Sequence, residues 1–197
     1  MDMNISVPNF SKVVAAMKDL NKDVNKAISM TISDVKARAP AQITKAVTSV
    51  YGIKSAEVTA AGKDAKLGSK TVGSIKVKGV HVDSVQLIYK GRVLTPTHFS
   101  MTPRTRPSGG RKYTVKAAIY KGKKKSLGTG VFLAPTGGTQ IPFKRAGKKR
   151  LPIDAVKTVS IPQMLMNDVV APDIQTRLDE LLATRMEHHA QRIASKK

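Results

Sequence analysis

The amino-acid sequence predicts an α+β protein with a long N-terminal helix, an antiparallel β-sheet of about four to six strands, and a C-terminal helix. Three observations carry this. Apolar residues recur at steps of three and four in the first part of the chain. They alternate with polar residues in the middle, and they return to helical spacing near the C-terminus. The corresponding segments are 1–54 (helices), 55–162 (sheet core with basic loops) and 163–197 (helix), taken as one structural domain overall.

The first helix is drawn by Phe10, Val13, Val14, Met17, Leu20, Val24, Ala27, Ile28, Ile32, Val35 and Ala39. Pro8 and Asn9 precede it, and Ser11 is a candidate cap. Lys12, Lys18, Asp19, Lys22, Asp23 and Lys26 form its polar face. Pro40 lacks an amide hydrogen and crowds the preceding turn, so the helix is expected to break at Ala39–Pro40. A second helix then runs through Ile43, Ala46, Val47 and Val50, with Gly52 as its stop. The stripe spans about 30 residues, near 45 Å at a rise of 1.5 Å per residue. That is long for the core of one small domain, so part of it is expected to pack on a neighbour.

Residues 55–68 read as a short helical turn followed by a loop. From residue 69 the period becomes two. SKTVGSIKVKG and VHVDSVQLIYKG form a hairpin about Gly79, with a bulge near Gly73. Further strands are expected at 113–122, at 128–136 (the most buried), at 139–145 and at 156–162. Pro142 assigns the 139–145 strand to a sheet edge. TPRTRPSGGRK at 102–112 and RAGKKR at 145–150 show neither period and are loops. In the last segment Ile174, Leu178, Leu181, Leu182, Met186 and Ile193 define a helix. Asp173, Asp179 and Glu180 lie in its early half and Arg192, Lys196 and Lys197 at its end, in the order the helix dipole favours.

The 197 residues are enough to enclose a core. Aromatics make up 4% and there is no Trp, so that core must be built from Val, Ile, Leu, Ala and Met. The absence of Cys excludes disulfides, thiol chemistry and Cys-ligated metals. No apolar run reaches the roughly 18–20 residues that span a bilayer, so no membrane association is expected. The N-terminus lacks the layout of a signal peptide, which points to the cytoplasm or an assembly built there.

Charge is the most informative number. The chain has 35 basic and 13 acidic residues, a net +22, of which residues 101–150 supply +14 with no acid at all. The concentration of one sign implies a polyanionic or acidic neighbour. The candidate contact residues are Arg104, Arg106, Arg111, Lys112, Lys121, Lys123, Lys124, Lys125, Lys144, Arg145, Lys148, Lys149 and Arg150, with Lys116 on the strand between them. Phosphates neutralised by such residues release counterions, giving salt-sensitive and sequence-blind binding. Aromatics are not interleaved with these cations as stacking platforms, which disfavours single-strand recognition. The competing reading is a merely soluble loop face.

Other chemistry is poorly supplied. Asp179 and Glu180 are helical neighbours that point apart. His188 and His189 are adjacent and cannot chelate one metal as an i, i+4 pair would. His98 is expected to pack or to bond to backbone, and His81 stands alone. KGKKKSLGTG lacks the order of a phosphate-binding loop. These readings predict no catalytic residues, no cofactor and no metal.

The order of segments then becomes informative. SVYGIK at 49–54 is followed by VLTPTHF at 93–99, GVFLAP at 130–135, IPFKRAGKKRLPI at 141–153 and SIPQML at 160–165. Over roughly residues 10–190 this series resembles the prophage minor tail protein Z family, although KGKKKSLG is outside the family pattern. The resemblance implies a virion structural protein that completes the tail and helps join it to the DNA-filled head. It also implies assembly in the host cytoplasm as a homo-oligomeric, six-fold ring at the head-proximal end of the tail. The implied partners are tail terminator, tail tube or head-connector proteins, with duplex DNA in the channel. Under the resemblance, Arg150–Ile153 is a folding or subunit-contact segment that inserts Ile153 in the core. Leu94, Pro96 and Phe99 form a buried turn. The alternative is a free basic protein that binds nucleic acid without sequence preference.

Overall fold

The computed structural model describes residues 2–6, 22–59, 74–81 and 84–195. The early stripe from Phe10 to Leu20, the Ser11 cap, the loop after residue 59 and the bulge expected near Gly73 lie outside these residues. The architecture is α+β, as the periodicities require. In chain order it comprises β1 (Asp2–Ser6), α1 (Lys22–Val50), α2 (Ser55–Val58), β2 (Ser74–His81), β3 (Ser84–Lys90), a 3-10 turn (Pro96–His98), β4 (Ser100–Thr102), β5 (Lys116–Tyr120), β6 (Lys123–Ser126), β7 (Val131–Thr136), β8 (Thr139–Arg145), β9 (Ile153–Ala155), α3 (Ile161–Leu165) and α4 (Val170–Ala194). The antiparallel strands are distributed over three three-stranded sheets, ordered β1-β3-β2, β4-β5-β6 and β7-β8-β9.

α1 packs chiefly against α4. Ile28, Ile32, Val35, Ala39, Ile43 and Val47 are buried along one face, and Ile174, Leu178, Leu181 and Leu182 meet them in the same core. The expected break at Pro40 does not occur, because Pro40 is inside a continuous α1. A proline in a helix interior costs about 3 kcal/mol. Burying each large apolar side chain on either side of it returns roughly 1.5–3 kcal/mol, so packing overrides the local rule. Three threonines in α1 satisfy their hydroxyls within the helix: Thr31 Oγ1 donates to the Ala27 carbonyl (2.8 Å), Thr44 Oγ1 to Pro40 (2.8 Å) and Thr48 Oγ1 to Thr44 (2.9 Å).

Gly52 has a different task from the helix stop expected of it. The chain after α1 runs beside β5. The Gly52 amide donates to the Ile119 carbonyl (2.8 Å), the Lys121 amide donates to Val50 (2.8 Å), and Tyr51 pairs with Tyr120. A Cβ at position 52 would overlap the Ala118 carbonyl oxygen, so only glycine allows this approach.

Besides adding β1, β4 and β6, the last formed by lysines expected in a loop, the strands correct the sequence in four places. Gly79 lies within β2, and the register irregularity falls between Lys78 and His81. β7 is only half buried, with Val131 and Leu133 inward and their neighbours partly exposed. β8 is central in its sheet despite Pro142. β9 pairs only with Phe143, Lys144 and Arg145, and the Pro142 carbonyl accepts from the Val156 amide (2.9 Å) just beyond it. The position that lacks an N–H therefore faces the end of the ladder, where it breaks no strand bond. Finally, the strand expected at 156–162 does not form: β9 ends at Ala155, before it begins, and SIPQML is not strand. Ser160 caps α3, accepting from the Gln163 amide while the Gln163 side chain accepts from the Ser160 amide.

The turn at 93–99 holds Leu94, Pro96 and Phe99 buried, as expected of it. Ile153 does open a strand but is half-buried, and Leu151 is 65% exposed. No helix among the described residues is long and apolar enough to cross a membrane.

Candidate polyanion-binding surface

A second, smaller core joins the β4-β5-β6 and β7-β8-β9 sheets. It consists of Met101, Val115, Val131 and Leu133, with Tyr113, Leu127 and Val156 packed on it. The 103–115 loop crosses this core and is pinned at three points. The Arg106 amide donates to Gln140 Oε1 (2.6 Å), and the Val115 carbonyl accepts from the Leu127 amide (2.9 Å). The Tyr113 hydroxyl accepts from the Leu133 amide (3.0 Å), a donor on the edge of β7 that has no strand partner on that side. A loop without secondary structure thus presents its cations from a fixed frame.

All thirteen candidate contact residues are exposed. Among the described residues none of them pairs with a carboxylate. They divide into groups. Arg106, Arg111 and Lys112 on the loop and Arg145 at the end of β8 line one open cleft of about 790 Å³. The turn Gly128–Thr129–Gly130 before β7 also lines it, with both glycines at positive φ. The Arg145 guanidinium lies 5.8 Å from the Phe132 ring centroid, a cation–π contact that fixes its direction. Arg104 instead lines a smaller cleft of about 260 Å³ with Lys54 and His98.

The remaining cations lie off the larger cleft. Lys121 is in the β5–β6 turn, and Lys123, Lys124 and Lys125 occupy β6, exposed on both faces. Lys124 Nζ donates to Thr102 Oγ1 (2.9 Å). β6 is an edge strand, and lysines on an edge discourage pairing with another chain, which explains this run without a ligand. Lys144 stands opposite Asp154 in the ladder, and Lys148, Lys149 and Arg150 are in the exposed segment before β9. The sequence marked the cations but not their companions. Tyr113, Phe132, Gln140 and the two glycines at 128 and 130 shape the cleft. The closely spaced glycines were the one available sign of it.

His98 and His189 are held within the fold. His98 Nδ1 is 2.8 Å from Glu57 Oε2, so its partner is a carboxylate of α2 where packing or a backbone bond was expected. His189 is buried between α1 and α4, with Nε2 3.3 Å from Asp34 Oδ2, and its ring meets that of His188 edge-on. No group of three or more potential metal ligands occurs among the described residues. Tyr51 stacks on Tyr120 with centroids 5.2 Å apart. Burial, followed by the neighbouring Tyr120, raises the Tyr51 phenol from 10.0 to about 12. Burial also raises Tyr89.

Comparison with protein-family models, curated proteins and solved structures finds no match to this chain.

Proposed function

We propose that this chain is a structural protein of a tailed bacteriophage, a tail completion protein of the minor tail protein Z kind and not an enzyme. It acts as one subunit of a ring at the head-proximal end of the tail and presents its basic loops to the channel. The observation that carries the reading is the exposed, carboxylate-free set of thirteen cations between residues 104 and 150. A field of one sign on pinned loops raises the free energy of the isolated chain and is relieved by a polyanion or an acidic neighbour. The series of segments from SVYGIK to SIPQML supplies the class of assembly. Leu151 and Val169, each 65% exposed, and Met166, 51% exposed, are apolar surface of the kind that subunit contacts cover.

Mass spectrometry of purified virions and electron microscopy of particles made without the chain test the proposal together. The expected result is a virion component whose loss leaves tails unable to join heads productively. Normal infectious particles without it would overturn the reading. The same cations also favour a second reading, a free nucleic-acid-binding protein, which predicts salt-dependent duplex binding by a monomer that is absent from virions.

A further inference from the structure

We infer that the cleft between the 103–115 loop and the Gly128–Gly130 turn binds the phosphodiester backbone of duplex DNA. This deepens the reading of the basic loops and rests on it. It selects four of the thirteen cations as the contact and names their ligand.

Arg106, Arg111, Lys112 and Arg145 come from two separate stretches of chain, and folding brings them around one cavity with no carboxylate in its lining. Three are guanidinium groups, whose planar forks engage two phosphate oxygens at once. Gly128 and Gly130, at φ +103 and +75, also line the cavity, with nothing within 4 Å of where a side chain would begin. There is therefore steric room for a phosphate beside the turn, although the Gly128 amide already donates to Ser126 Oγ (3.2 Å). A nucleic-acid strand carries one charge about every 3.4 Å, so a single segment neutralises several cations in one groove. A folded acidic protein rarely offers that density, which favours the nucleic acid.

Backbone recognition is favoured over base stacking because the aromatic groups are engaged. Phe132 lies beneath Arg145 and 6.4 Å from Phe143, and Tyr113 is tied to β7 through its hydroxyl. The lysines 123–125 are accounted for as edge-strand residues and lie outside the cleft lining.

The test is fluorescence anisotropy of the full chain with a labelled random-sequence duplex across a salt series. Replacing Arg106, Arg111, Lys112 and Arg145 with alanine should weaken binding by about 100-fold or more at low salt. It should also lower the slope of log K against log salt by about 3 to 4. A control that removes the same charge from exposed cations outside the basic segment (Lys36→Ala, Arg38→Ala, Lys45→Ala, Lys157→Ala) should lose less than about 10-fold. A charge-preserving variant (Arg106→Lys, Arg111→Lys, Arg145→Lys) should keep the fold and weaken binding by about 10-fold, because the forks are lost. Four outcomes would overturn the site: no duplex binding by the unaltered chain, equal losses in the two alanine sets, full affinity of the lysine set, or tighter binding to single strands or polyglutamate than to duplex. A chain that sits at the head–tail junction but binds no duplex defeats this inference alone. One that binds through the cleft but is absent from virions defeats the assembly reading.

Discussion

At the scale of single residues, two positions carry roles that their residue type alone does not reveal. Gly52 admits the backbone of β5 against the end of α1, since any Cβ would overlap the Ala118 carbonyl oxygen. Gly52→Ala should destabilise the chain by about 2 kcal/mol or more, as overpacking against rigid backbone does, and urea denaturation measures it. Tyr51 is buried against Tyr120 and its phenol is raised to about 12. The folded state therefore holds the proton after the unfolded chain has released its own near pH 10. The stability this contributes is complete below pH 10 and is lost as pH climbs from 10 to about 12. Tyr51→Phe should flatten that loss in thermal melts taken across this window. Tyr89, raised by burial as well, should keep some slope in place.

At the scale of elements, the helices follow from their apolar stripes and the strand positions follow less closely. Steps of three and four gave α1 and α4 because long amphipathic helices bury one continuous face, and Ile28 through Val47 do so. Pro40 misled because a local rule was set against a sum of packing terms. Pro40→Ala should therefore stabilise α1 by about 1–3 kcal/mol, seen as a higher urea midpoint; a loss of stability would show that the proline shapes the helix for its partner. Pro142 misled because a strand has two hydrogen-bonding sides, and the sequence does not say that β9 ends beside it. SIPQML contained its own answer: Ser160 and Gln163 are in capping-box spacing with Pro162 in the first turn. Ser160→Ala should cost about 1 kcal/mol by the same denaturation measurement. The basic residues were legible one by one. Their convergence was not, because Arg145 reaches the cleft only through the fold of the β7–β8 hairpin, and Tyr113 holds the loop through a contact 20 residues away in sequence.

At the scale of the whole molecule, charge and packing are segregated. The α1–α4 core carries the apolar stripe, and the thirteen candidate cations gather on the loops and strands between β4 and β9. That division suits a subunit with one surface for neighbours and another for a polyanion. It also predicts that purified chain is strongly salt-dependent in solubility and association, since exposed cations are screened over about 8–10 Å at physiological ionic strength. Light scattering across a salt series would read this directly. The most direct measurement is a cryo-electron microscopy reconstruction of the tailed particle that contains this chain. The proposal predicts a ring at the head-proximal end of the tail, with residues 102–125 and 144–150 facing the lumen and Arg106, Arg111, Lys112 and Arg145 nearest the DNA. A ring with those residues turned outward to solvent, or a particle with no copy of the chain, would contradict it.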